Sequence, residues 1–147
     1  MGMVDIGAKP VVNRKAEAAG SIFLSGDTIK KIESGQIKKG SPIPVAEVAA
    51  INAAKQTHIL IPHCHQILLH SVNVTFKILK DHIEARCVVG ARARTGVEME
   101  ALIGVSIALN TIWDMVKYLE KDEKGRYPST RIADIRVLKK EKGEPAW

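Results

Sequence analysis

LHSVNVTFKILKDHIEARCVV, residues 69–89, is the stretch whose pattern decides the fold. Val72, Val74, Phe76 and Ile78 alternate with Asn73, Thr75 and Lys77, the period of two that puts apolar side chains on one face of a half-buried strand. Lys80-Asp81 predicts a tight turn, after which Ile83, Ala85, Cys87 and Val89 alternate again. Two alternating runs joined by a short polar link predict an antiparallel hairpin. Downstream the apolar pattern becomes continuous, predicting a helix over 97–120 and then a closing strand over 132–138. Upstream, a helix over 45–58 follows the basic turn KKGSP at 38–42, and Asp27 or Thr28 caps a shorter helix that ends at Gly35. Before that, residues 1–19 are expected as an extended arm leading into a short strand over 21–24. The order of strand, helices, two strands, helix and strand matches an α+β split β-α-β architecture, an antiparallel sheet with its helices on one face.

The 147 residues show no repeat, low-complexity run or long linker, so one domain is expected over 1–147, with 141–147 as a flexible tail. A chain of this size can bury about 70% of its unfolded surface and needs no staple. Two cysteines, Cys64 and Cys87, and nothing like a signal peptide at residues 1–6 fit free thiols in a reducing, cytoplasmic compartment. Charged and polar breaks in the apolar stretches argue against a membrane span. The net charge of +6 favours anionic partners. Only six aromatic residues are present, and they are not interleaved with the basic ones as a single-strand nucleic-acid binder requires.

Three constellations could carry chemistry. The helix begins TGVEMEAL (95–102) and runs on to WDMVK (113–117), so Glu98, Glu100, Asp114 and Lys117 stand in an apolar segment. Asp114 and Lys117, three residues apart, share a helix face and can touch. With Ile112, Trp113, Met115 and Val116 around them, partial burial is expected, and it would couple their protonation states. Glu100 points roughly the same way from about 21 Å along the axis. One small reacting centre cannot meet both, so either the ligand is long or a second copy of the chain supplies one end. The plainer reading makes Asp114 and Lys117 a surface ion pair, and Glu98 and Glu100 complements to the helix dipole.

The second constellation, His58, IPHCHQI (61–67) and His70, suggests zinc by composition. Its consecutive His63-Cys64-His65 matches no metal pattern, and a turn offering an imidazole and a thiol to a pocket fits better. The third is a dispersed set of cations, Arg14, Lys39, Lys55, Lys139 and Lys140, each readable as solvated surface.

Taken in order, MVDIGAK (3–9), RKAEAAG (14–20), KG (39–40), AINAAKQT (50–57), IPHCH (61–65), TGVEMEAL and WDMVK resemble the cyclic pyranopterin monophosphate synthase family, MoaC, of molybdenum cofactor biosynthesis. The resemblance implies a ferredoxin-like subunit in a hexamer of three dimers, with active sites between subunits. It implies a lyase converting a cyclised dihydro-GTP, supplied by an upstream radical enzyme, to cyclic pyranopterin monophosphate and diphosphate, with no metal or organic cofactor. Asp114 and Lys117 fall on the family's catalytic pair and Lys39 on a further essential lysine. His63, Cys64, His65, Glu98, Met99 and Glu100 fall on substrate-contacting segments, and Arg14, Lys55 and Lys140 would serve the triphosphate. Here His63 replaces the family's usual Leu, Gln66 its Pro and Trp113 its Tyr, and KEKGEP (140–145) replaces its glycine-rich ending. The alternatives are a ferredoxin-like RNA-binding module, from the net charge, and a metal-dependent hydrolase, from the histidines.

Overall fold

A computed structural model describes residues 1–145. In chain order the elements are β1 (Val12–Phe23), α1 (Gly26–Glu33), α2 (Pro42–Lys55), α3 (Thr57–Leu60), β2 (Leu69–Ile78), β3 (His82–Ala93), α4 (Glu98–Glu120) and β4 (Arg131–Pro145). The four strands form one sheet in the order β2-β3-β1-β4, with every neighbouring pair antiparallel. The hairpin closes where the Leu79 N–H donates to the His82 carbonyl at 2.9 Å, around Lys80-Asp81. This is the split β-α-β arrangement, α+β with the helices on one face.

Helix α4 lies across the sheet because its apolar residues recur on one side. Ala101, Val105, Ala108, Leu109, Ile112 and Val116 are all fully buried. Small residues set the closeness of approach. A Cβ at Gly20 of β1 would stand 2.8 Å from Ile135 and 3.0 Å from both Leu109 and Val105. Gly104 plays the same part against Cys87 and the Ala50 carbonyl, while Ala46, Ala50, Ala53 and Ala54 bring α2 against α4. Contrary to the expectation from its polar breaks, α4 is long and apolar enough to cross a membrane by length and composition. Half of its most apolar window is buried in the protein, which makes it a core helix.

Both outer boundaries of the sheet differ from those expected. β1 starts at Val12, well inside the expected 1–19 arm, and pairs with β3 along its whole length. Residues 18–22 are buried continuously, Ala18, Gly20 and Ile22 toward the helices and the small Ala19 and Ser21 on the other face, so no period of two marks them. β4 continues past Leu138 through Pro145, its charged run Lys139-Lys140-Glu141-Lys142 laddering with β1. The flexible tail expected over 141–147 is therefore strand as far as Pro145, because main-chain pairing does not require apolar side chains; 146–147 lie outside the described residues. The helix expected over 45–58 starts earlier, at Pro42, and breaks at Gln56 before the single turn of α3.

Candidate functional site

The two ends of α4 carry two charged clusters. Near its C-terminal end, the Lys117 ammonium stands 2.9 Å from Asp114 Oδ1. The connection between α1 and α2 delivers Lys39, whose Nζ lies 3.1 Å from Asp114 Oδ2 and 2.9 Å from the Asp114 carbonyl oxygen. One carboxylate thus bridges two ammonium groups. Hydrogen bonds from Lys117 and then Lys39 hold the Asp114 carboxyl below its usual range. The same bond to Asp114 holds Lys117 above its own.

The partial burial expected for this pair holds for Lys117, whose side chain is 41% exposed, but not for Asp114, which is exposed at 59%. Ile112, Met115 and Val116 turn into the core, which leaves 114 and 117 on the outward side of the helix. Beside Lys117 is an open depression of about 420 Å³ lined by Asn110, Trp113, Asp114, Lys117, Tyr127 and Ile132. Tyr127 packs edge-on against Trp113, ring centres 5.2 Å apart.

The start of α4 is built differently. Glu100 is only 3% exposed, its Oε1 has no hydrogen-bond partner, and its Oε2 meets the Cys64 sulfur at 3.9 Å. Burial, reinforced by the charge of Glu98, pushes Glu100 up to about 7 from an ordinary 4.5. The Cys64 thiol is also raised, first by its own burial and then by Glu100, so it stays protonated and is no ready nucleophile.

Two residues earlier, Glu98 lies 2.9 Å from the Lys140 ammonium of β4, an ion contact without hydrogen-bond alignment. Burial opposes its charge, but Lys140, its own backbone N–H and Arg14 outweigh that and lower its pKa. Arg14, on β1 and 7% exposed, donates to the Arg94 carbonyl at 3.4 Å and leaves its Nε without a partner. Gly96 makes room for this fold, since a Cβ there would overlap the Glu98 carboxylate.

The remaining expected residues spread out from this second cluster. His65 Nε2 is 2.7 Å from the Val4 carbonyl and so carries the proton, tying the turn to the N-terminal segment. His63 is exposed, and His63, Cys64 and His65 therefore serve three different surroundings. Among the described residues no three His, Cys, Asp or Glu side chains converge as a metal site. Met99 is part-exposed on the first turn of α4. Lys55 is exposed in the last turn of α2. Lys39 meets Asp114 just before α2 begins, and Ala50 lies against Gly104, so Lys55 sits toward the Glu100 end.

Asn110 and Tyr127 were not among the expected residues. Asn110, four residues before Asp114, was reachable from helical spacing; Tyr127 stands on a loop with no period to reveal it.

An α+β subunit with charged groups at both ends of one long core helix defines the class. The chain belongs to the MoaC family, whose model matches residues 3–143. It is similar to proteins named probable cyclic pyranopterin monophosphate synthase from Thermococcus kodakarensis, 58% identical over 97% of this chain and 91% of that protein, and Pyrococcus abyssi, 56% identical over 94% and 87%. It is likewise similar to one from Methanothermobacter thermautotrophicus named probable cyclic pyranopterin monophosphate synthase accessory protein, 54% identical over 97% and 89%.

Proposed function

We propose that the protein is a cytoplasmic lyase of molybdenum cofactor biosynthesis. It would convert (8S)-3',8-cyclo-7,8-dihydroguanosine 5'-triphosphate, received from an upstream radical enzyme, to cyclic pyranopterin monophosphate and diphosphate. The observation that carries this reading is the Asp114 carboxylate bridging Lys117 and Lys39 at 2.9 and 3.1 Å, in a chain of this family. Opening the purine ring and closing a new one require protons to be moved at several atoms, and a departing diphosphate requires cations. In the isolated subunit Asp114 and Lys117 both hold their charges firmly. Substrate inserted between them separates the pair, so that the Lys117 ammonium can donate a proton to it and the Asp114 carboxylate accept one.

Arg14, Lys55 and Lys140 are assigned to the triphosphate, and His63, Cys64, His65, Glu98, Met99 and Glu100 to the rest of the substrate. The separation of about 21 Å along α4 between Glu100 and Asp114 supports a composite site in which neighbouring copies supply the two ends. The assembly proposed is a hexamer of three dimers. Incubation of the purified protein with the cyclised dihydro-GTP, followed by detection of the pterin product, tests the activity. Turnover by wild type and its loss in Lys117→Ala are expected; no turnover, or full turnover by Lys117→Ala, would overturn the reading.

A further inference from the structure

We propose that Tyr118 is a positioning residue whose hydroxyl holds the backbone of the α1–α2 connection where Lys39 can reach Asp114. The inference rests on the reading above, in which Lys39 acts in the reaction. Lys39 sits on an eight-residue connection, 34–41, whose glycines Gly35 and Gly40 both adopt positive φ, 72° and 108°. Glycine in that region costs the chain little and constrains it little. The Lys39 side chain is long, about half exposed, and loses rotamer freedom when held in one geometry. Keeping its Nζ within hydrogen-bond reach of Asp114 therefore depends on a fixed main chain beneath it.

Local bonds define the shape of this connection. Gln36 N–H donates to the Lys31 carbonyl at 2.8 Å and Gly40 N–H to the Ile37 carbonyl at 3.1 Å, while Ile37 is buried. Neither bond ties it to the helix that carries Asp114. That link is made next to Lys39, where the Lys38 N–H donates to Tyr118 Oη at 2.9 Å. The Lys38 ammonium also lies 5.2 Å from the centre of the Tyr118 ring, a cation–π contact. Tyr118 follows Lys117 directly and comes four residues after Asp114, so hydroxyl and carboxylate project from adjacent turns of one rigid helix. The same helix also anchors α1 at its opposite end, because Glu120 accepts from the Ser25 N–H at 3.1 Å and from its hydroxyl at 2.9 Å at the N-terminal cap of α1. Helix α4 thus presents the carboxylate and also fixes the lysine that meets it.

The test compares wild type, Tyr118→Phe and Lys39→Ala as full-length proteins in the pterin-forming assay, together with amide exchange at Lys38. Tyr118→Phe keeps the ring and removes only the acceptor. Exchange at Lys38 should accelerate about fivefold and kcat fall about threefold to tenfold, with KM within about twofold, the scale of one net hydrogen bond. Its Tm should move by no more than about 4 °C. Unchanged kcat in Tyr118→Phe while Lys39→Ala is inactive would remove the role of Tyr118 and leave the proposed function standing. A kcat loss matched by a large fall in Tm would also overturn it, making Tyr118 a packing residue. Full activity in Lys39→Ala would refute the assignment of Lys39, and that of Tyr118 with it.

Discussion

The two ends of α4 handle charge in opposite ways. At the C-terminal end the carboxylate of Asp114 is exposed and shared by Lys39 and Lys117, and the pairing deepens the charge on both Asp114 and Lys117. At the N-terminal end two carboxylates two residues apart diverge, Glu98 held charged beside Lys140 and Arg14, Glu100 buried and pushed up to about 7. Burial, more than sequence neighbourhood, separates these groups. Exposed charges answer to their partners, whereas a buried carboxyl answers first to the lost water.

The largest expected effect is on turnover. Lys117→Ala should lower kcat about 10³-fold, within the range for loss of a proton-transferring group. Its Tm should stay near that of wild type, because an exposed ion pair contributes little stability. A large fall in Tm with kcat preserved would reverse the contrast between the ends.

Next in size is Glu120→Ala. The Glu120 carboxylate accepts from Ser25, Thr28 and Thr130, so it joins α4 to the start of α1 and the approach to β4. Its removal strands buried hydroxyls and should cost about 3 kcal/mol in denaturant unfolding. A cost under about 1 kcal/mol would show that the network adds little.

Glu100→Gln tests the buried end through pH. The native carboxyl holds its proton up to about 7 whereas the unfolded one releases it near 4.5, so between those values the unfolded chain binds fewer protons. Stability therefore falls as pH rises through this window, by at most about 3 kcal/mol from this group. In Glu100→Gln that fall should vanish, leaving the variant more stable than wild type at pH 8. An unchanged pH profile would place Glu100 in water. The smallest effect belongs to Lys140→Ala, which breaks the contact with Glu98. It should cost less than about 1 kcal/mol of stability while raising KM.

The hairpin and α4 were legible because alternation and the continuous apolar run are strong over long segments, and each of these elements meets the core on one side. β1 was hidden because Ala16, Ala18, Ala19 and Gly20 neither alternate nor branch at Cβ; at Gly20 the lack of a side chain lets α4 lie close. The end of β4 was hidden by its charges, which say nothing of the main-chain pairing with β1. Of the site, Asp114 with Lys117 followed from helical spacing. The approach of Lys39 across 75 residues of sequence did not; Lys39 stood out only as one of several dispersed cations, and the family resemblance alone gave it a part in the reaction. Tyr118 and Glu120 gave no signal, because a hydroxyl that accepts from a distant backbone N–H and a carboxylate that caps a distant helix have no local pattern.

That both ends of α4 serve one reaction, from neighbouring copies, is tested most directly by mixing two inactive variants. Lys117→Ala disables one end and Arg14→Met the other. If a site takes one end from each chain, a mixed dimer contains one site with both defects and one with neither. Equal amounts allowed to exchange subunits should then regain about a quarter of wild-type turnover, because half of the dimers are mixed and each has one intact site of two. Mixed assemblies verified by native mass spectrometry that show no recovered turnover would contradict the shared site.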